Sequence, residues 1–205
     1  MNVNHELIKD LLHIKAVQIN TENYFTWTSG IKSPIYCDNR LTMSYPAIRK
    51  KIAKLFVKMI TTNGYEPDLI AGCATAGIPH AAWVADLMEL PMVYVRSAPK
   101  SHGQGKQIEG QVQGGQKAIV IEDLISTGQS ALNVVEALEQ AGVEVIAVLA
   151  IFTYRLEQAD KAFKQAEIPL FTLTHFDELI DWLYKSKDID KQAKDELLAW
   201  RNQLS

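Results

Sequence analysis

Apolar positions recur along this chain with two different periods. From His5 to Ile19, residues Leu7, Leu11, Leu12 and Ile14 fall at roughly helical spacing, which predicts an amphipathic opening helix over 5–19. Aromatic and polar residues then alternate around turn formers in Tyr24-Phe25-Thr26-Trp27, Ser29-Gly30 and Ser33-Pro34-Ile35-Tyr36, a pattern of short strands joined by turns. Ser44 and Pro46 mark the start of a helix. Its apolar face is Ile48, Ile52, Leu55, Phe56 and Met59, and Asn63-Gly64 stops it.

From there the alternation becomes regular. Leu69 to Ala71 predicts a strand, Ile78 to Leu87 a helix, Met92 to Val95 a second strand and Ala118 to Ile121 a third. Ala131, Val134, Val135 and Leu138 lie on one face of a helix ending near Gly142, and a strand follows over Val143 to Phe152. Phe176 to Tyr184 and Ile189 to Leu204 read as helices. Strands rich in β-branched residues, alternating with helices, imply βαβ units, and so an α/β fold with a mainly parallel sheet. Between Val95 and Ala118 lies a polar segment with glycines at 103, 105, 110, 114 and 115, and loops of this length are usually functional or disordered.

The chain has 205 residues, 47% of them hydrophobic, enough for one domain with a full core. A formal net charge of −3 gives no electrostatic footprint for nucleic acid, so no nucleic-acid partner is expected. The longest apolar runs fall far below the roughly 20 residues of a membrane helix. The first residues have neither the basic start nor the apolar stretch of a secretory signal. Cys37 and Cys73 show no metal or redox spacing. The expectation is a cytoplasmic protein without a membrane partner.

Ala118 to Ser130 carries the chemistry. An apolar strand runs into Glu122 and Asp123, then into the small loop Leu124-Ile125-Ser126-Thr127-Gly128, then into a helix opening at Gln129-Ser130. At the end of a parallel strand both carboxylates would reach a ligand in the crevice beyond the sheet. Loop amides and the positive end of the helix make a cradle for phosphate, where Gly128 permits close approach and Ser126, Thr127 and Ser130 add donors. Carboxylates beside a phosphate site must contact something neutral or cationic, and ribose hydroxyls with a metal-bound sugar fit. The chain contains neither G-x-x-x-x-G-K-[ST] nor G-x-G-x-x-G, which disfavours kinases and dinucleotide enzymes.

This ordered string resembles the signature of the type I phosphoribosyltransferases. Phe25 to Gly30 with Ser33-Pro34-Ile35-Tyr36 is similar to the N-terminal hood over the base in the orotate-using branch. Gly72 to Pro79 resembles its pyrophosphate loop, centred on Ala74, Thr75 and Ala76. Arg96, Lys100 and His102-Gly103 match the start of its mobile loop.

The resemblance implies transfer of ribose 5-phosphate from phosphoribosyl pyrophosphate (PRPP) to orotate with Mg²⁺ as cofactor, the metal being held through PRPP and not directly by protein side chains. It implies catalytic roles for Lys100, His102 and Asp123. PRPP contacts would come from Arg96, Lys100, His102 and Glu122 to Ser130, and orotate contacts from Ser126 and Arg155. It further implies a homodimer with shared sites, and a single domain over 1–205: residues 1–44 including part of the hood, 45–155 the catalytic core, and 156–205 the C-terminal helices with the remaining hood.

Departures from the family pattern fall at Thr28, Ser97, Thr75 and Ala76, where basic or aromatic residues are frequent. They shift charge neutralisation onto Arg96, Lys100 and His102, with Lys106 a further candidate. A purine enzyme of the family would share Glu122 to Ser130 without the hood. A regulator on the same fold would lose Lys100 and His102 and usually adds a DNA-binding segment.

Overall fold

The computed structural model describes residues 3–21, 23–26, 30, 32–97 and 107–204. Helix α1 (Val3–His13) buries Leu7, Ile8 and Leu11. The helix expected over 5–19 ends here because Lys15 turns with a left-handed φ of 57° and Val17–Ile19 is a strand, β1. After β2 (Phe25–Thr26), β3 (Lys32–Ser33) and β4 (Ile35–Cys37), two antiparallel ribbons are formed, β1 with β4 and β2 with β3. Asp38 caps a 3-10 helix over Asn39–Ser44, which leads into α2 (Pro46–Thr62). Pro46 suits the first turn of α2, where its missing N–H costs nothing.

The remaining elements alternate. They are β5 (Leu69–Cys73), α3 (Gly77–Met88), β6 (Met92–Val95), β7 (Ile108–Glu109), β8 (Lys117–Ile125), α4 (Gln129–Gln140), β9 (Glu144–Thr153), α5 (Glu157–Gln165), β10 (Leu170–His175), α6 (Phe176–Ser186) and α7 (Lys191–Gln203). The main sheet has the order β10-β9-β8-β5-β6-β7, parallel except for the antiparallel edge strand β7. This is the α/β architecture that the strand and helix periods predict.

Both sheet faces are covered. Ile119 and Ile121 of β8 pack in one cluster with Ile52, Phe56 and Phe176, while Ala118 and Val120 pack on the other side with Val134, Leu138 and Phe163. The two-residue period of the strand thus sends alternate side chains into two cores. Removing a side chain such as the fully buried Phe56 would cost about 3–5 kcal/mol.

Two boundaries differ from expectation in ways that shape the site. β8 continues past Ile121 to Ile125, because Glu122, Leu124 and Ile125 keep pairing with β9. The acidic pair therefore sits on a strand, held by backbone bonds on a rigid element. β5 likewise extends through Gly72-Cys73, paired with Tyr94 and Val95 of β6. The segment expected as one long loop after Val95 contains β7, which pairs Ile108 and Glu109 with Val95 and Tyr94.

Candidate active site

β5 and β8 are parallel neighbours with Gly72 opposite Ile121, so Cys73 and Glu122 emerge together at the sheet edge. Glu122 is buried at 6% exposure, its Oε1 accepts the Asp123 amide at 2.9 Å, and the Cys73 thiol hydrogen-bonds its carboxyl group. Burial, followed by the charge of Asp123, pushes the Glu122 pKa up to about 8. Burial also raises Asp123, while its hydrogen bond with Glu122 opposes the rise. Burial thus disfavours ionisation of both carboxyl groups at once.

Helix α3 meets this strand without a spacer. A Cβ at Gly77 would lie 2.4 Å from the Ile121 carbonyl oxygen, so glycine allows the helix to start against the acidic pair. Its N-cap position, Ala76, provides no side-chain cap. The preceding Ala74 amide donates to the Val95 carbonyl at 3.0 Å, which ties the Ala74–Ala76 turn to β6. Helix α4 also opens without a side-chain cap, after Gly128 at φ 83°. Its first turn follows the partly buried Ser126 and Thr127 and carries the exposed Gln129 and Ser130, and first-turn amides have no partner within their own helix. Ile125 turns inward to the core.

A cleft of about 340 Å³ opens over these strand ends. Asp123, Leu124 and Ser126 form its floor, and Ala76 and Tyr154 flank it. It is also lined by Tyr36 and Cys37 of β4 and by Asp38 and Arg40 just after it. Arg40 pairs with Asp38 through two bonds, Nε to Oδ1 at 2.6 Å and Nη2 to Oδ2 at 2.9 Å. Asn39 beside them is fully buried and donates to the Asp123 carbonyl at 2.7 Å.

The structure thus brings Ala76, Asp123, Leu124 and Ser126 into one cleft. Arg96 is half-buried, with Nη1 3.7 Å from Glu109 Oε1 and its backbone bonded to Gln107. Arg155 takes a left-handed φ of 52° and lines a neighbouring cleft of about 490 Å³ with Asp160, Asp177 and Arg201. Lys100, His102, Lys106 and Thr28 lie outside the described residues. Sequence reading missed Asp38, Arg40 and Tyr154 as cleft residues, and Asn39 as the buried anchor behind them. The available signal was the polar run Asp38-Asn39-Arg40 directly after an apolar strand, with two charges at a spacing that lets them pair.

Residues 43–176 match the family model of the phosphoribosyl transferase domain. The chain is 57% identical over 202 residues to the orotate phosphoribosyltransferase of Oceanobacillus iheyensis, covering 98% of this chain and 100% of that protein. Among solved structures it resembles Leishmania donovani UMP synthase at 29% identity with a TM-score of 0.81, over 98% of this chain and 42% of that one. It resembles Aeropyrum pernix orotate phosphoribosyltransferase at 25% identity with a TM-score of 0.76, over 90% of this chain and 99% of that one. With its acidic strand end, its two uncapped helix starts and a full-length relative identical at more than half of its positions, the chain belongs to the orotate phosphoribosyltransferases of the phosphoribosyl transferase family.

Proposed function

We propose that this chain transfers ribose 5-phosphate from PRPP to orotate, releasing pyrophosphate and forming orotidine 5′-phosphate for pyrimidine nucleotide synthesis. The observation that carries the reading is that Asp123 and Ser126 line one cleft just ahead of Gly128, where α4 starts without a side-chain cap. An acid beside an anion cradle suits a ligand with neutral hydroxyls next to a phosphate, as in a ribose 5-phosphate.

In this reaction the bond from C1 of the ribose to pyrophosphate breaks, the electron pair leaves with pyrophosphate, and N1 of orotate forms the new bond to C1 as its proton is released to the departing pyrophosphate or to water. The protein's task is positioning and charge stabilisation. Amides from Ser126 to Ser130 hold the 5-phosphate, Asp123 and Glu122 hold the ribose hydroxyls, and the Ala74–Ala76 turn receives pyrophosphate. Ser126 and Arg155 orient orotate. Arg96, Lys100 and His102 act on the leaving group.

Among the described residues no group of three or more His, Cys, Asp or Glu side chains is arranged to hold a metal. Asp123, the β8 carboxylate lining the cleft, would help hold an Mg²⁺ ion arriving with PRPP, and the ion would supply neutralisation of charge on the departing pyrophosphate.

The whole chain acts as one catalytic domain, and two copies form the active homodimer with Lys100 and His102 reaching the partner's site. An apolar surface supports that assembly: Leu41 and Tyr45 are 38% and 43% exposed, Leu87 is 49% exposed, and Arg49 joins their elements by stacking on Trp83 and bonding the Met43 carbonyl. Among the described residues no helix is long and apolar enough to cross a membrane, and both cysteines are free, in keeping with action in a reducing cytosol.

The test is the loss of orotate absorbance with PRPP and Mg²⁺, repeated with adenine and hypoxanthine as competing bases. Orotate consumption unaffected by purines is the expected result. Purine-dependent release of pyrophosphate without orotate consumption would overturn the reading.

A further inference from the structure

Both substrates named above are anions, yet the cleft that should receive them has acidic walls. Asp38 and Asp123 line it, and Glu122 lies just beneath. Among the described residues lining this cleft, Arg40 is the one cation. Its position is fixed. Asp38 accepts the Arg40 amide at 3.2 Å as the cap of the 3-10 helix, and the same carboxylate grips the guanidinium through Nε and Nη2. That grip consumes two of five N–H donors. The guanidinium keeps its Nη1 edge and one Nη2 hydrogen for a ligand, and the arginine side chain remains 60% exposed.

Ala76 lines the same cleft, begins α3 without a side-chain cap and brings no charge of its own. A pyrophosphate group bound at the start of α3 would meet amides on one side and needs a cation on the other. Given transfer from PRPP as proposed above, we infer that Arg40, oriented by Asp38, is a further cation, beside Arg96, Lys100 and His102, that holds the pyrophosphate group of PRPP against the start of α3. A planar guanidinium with an open edge matches the paired oxygens of a phosphate. Its partner Asp38 positions the group and also prevents it from folding down onto Asp123, which would neutralise the acid needed for the ribose.

Steady-state kinetics with Arg40→Ala and the gentler Arg40→Gln test this role, alongside thermal protection of the same proteins by Mg²⁺-pyrophosphate. In either folded variant the KM for PRPP and the inhibition constant for pyrophosphate should rise about tenfold or more, the scale of one charge-assisted hydrogen bond, while the KM for orotate stays within about twofold. Adding Ala76→Lys to Arg40→Ala supplies charge from another position lining the cleft and should recover PRPP affinity, which a merely structural role for Arg40 would not allow. Unchanged PRPP and pyrophosphate constants, or a rise confined to orotate, would overturn the assignment. Protection by pyrophosphate reads Arg40 without turnover, so it also separates failure of this role from failure of the orotate reaction, which would appear as an inactive wild type.

Discussion

Asn39 Nδ2 lies 2.7 Å from the carbonyl oxygen of Asp123, joining two residues 84 positions apart. The bond fastens the chain leaving β4, which carries Asp38 and Arg40, to the strand end that carries the acidic pair. Asn39 is fully buried, so water cannot replace it. Asn39→Ala should therefore lower stability by about 1–3 kcal/mol, the cost of an unsatisfied buried carbonyl. Because it loosens two walls of one cleft, kcat/KM should fall about tenfold. Chemical denaturation and steady-state kinetics on the same variant check both effects, and an unaltered kcat/KM would confine Asn39 to stability.

The pH dependence of stability should report the proton on Glu122. Its folded pKa of about 8 lies above the ordinary 4.5, so between these values the unfolded chain releases a proton that the folded protein keeps. Stability then falls as pH rises, by up to about 1.4 kcal/mol per pH unit. Buried His80 acts in the opposite sense, because burial lowers its pKa from 6.5 to about 4 and the unfolded chain alone is protonated in that interval. The Glu122 effect is therefore clearest from about pH 6.5 to 8. Melting temperatures across this window should decline for wild type and stay nearly flat for Glu122→Gln, whereas parallel curves would remove the buried proton.

Shared sites give a prediction that needs two chains. Lys100→Ala and Asp123→Asn proteins should each be nearly inactive alone, and mixing them should restore activity. Random exchange places about half of the dimers in the mixed form with one intact site of two, so recovery should approach roughly a quarter of wild type for two-fold pairing. No recovery after subunit exchange verified by mass spectrometry would mean that Lys100 serves its own subunit.

Strong local signals made most of the core legible. The β-branched run Ala118 to Ile121, the acids after it and the glycine before α4 identify strand, site and helix in order. α5 was missed because its buried apolar contacts reduce to Ala159 and Phe163 in a charged helix. β10 was missed because it is an edge strand, four of its six residues only partly buried, with threonines interrupting the apolar pattern. β7 has two residues, too few for any period. The acidic pair was read as the end of a strand, but its continued pairing with β9 depends on a partner some 28 positions away, and no local pattern reports that. Arg40 is held at the cleft by its pair with Asp38, close in sequence, whereas Asn39 anchors that segment through a bond to β8, 84 positions away, which no local pattern reports.

The central claim is that the carboxylates at the end of β8 hold the ribose during transfer to orotate. The measurement that bears on it most directly is turnover of orotate with saturating PRPP and Mg²⁺ by the double variant Glu122→Gln, Asp123→Asn, made alongside its circular dichroism and melting curve. Both replacements keep side-chain shape and remove charge from a pair that burial already disfavours in its ionised form, so the fold should be retained. Turnover should fall by about a hundredfold or more, the scale of lost transition-state positioning and electrostatics. A folded double variant that consumes orotate at the wild-type rate would contradict the account.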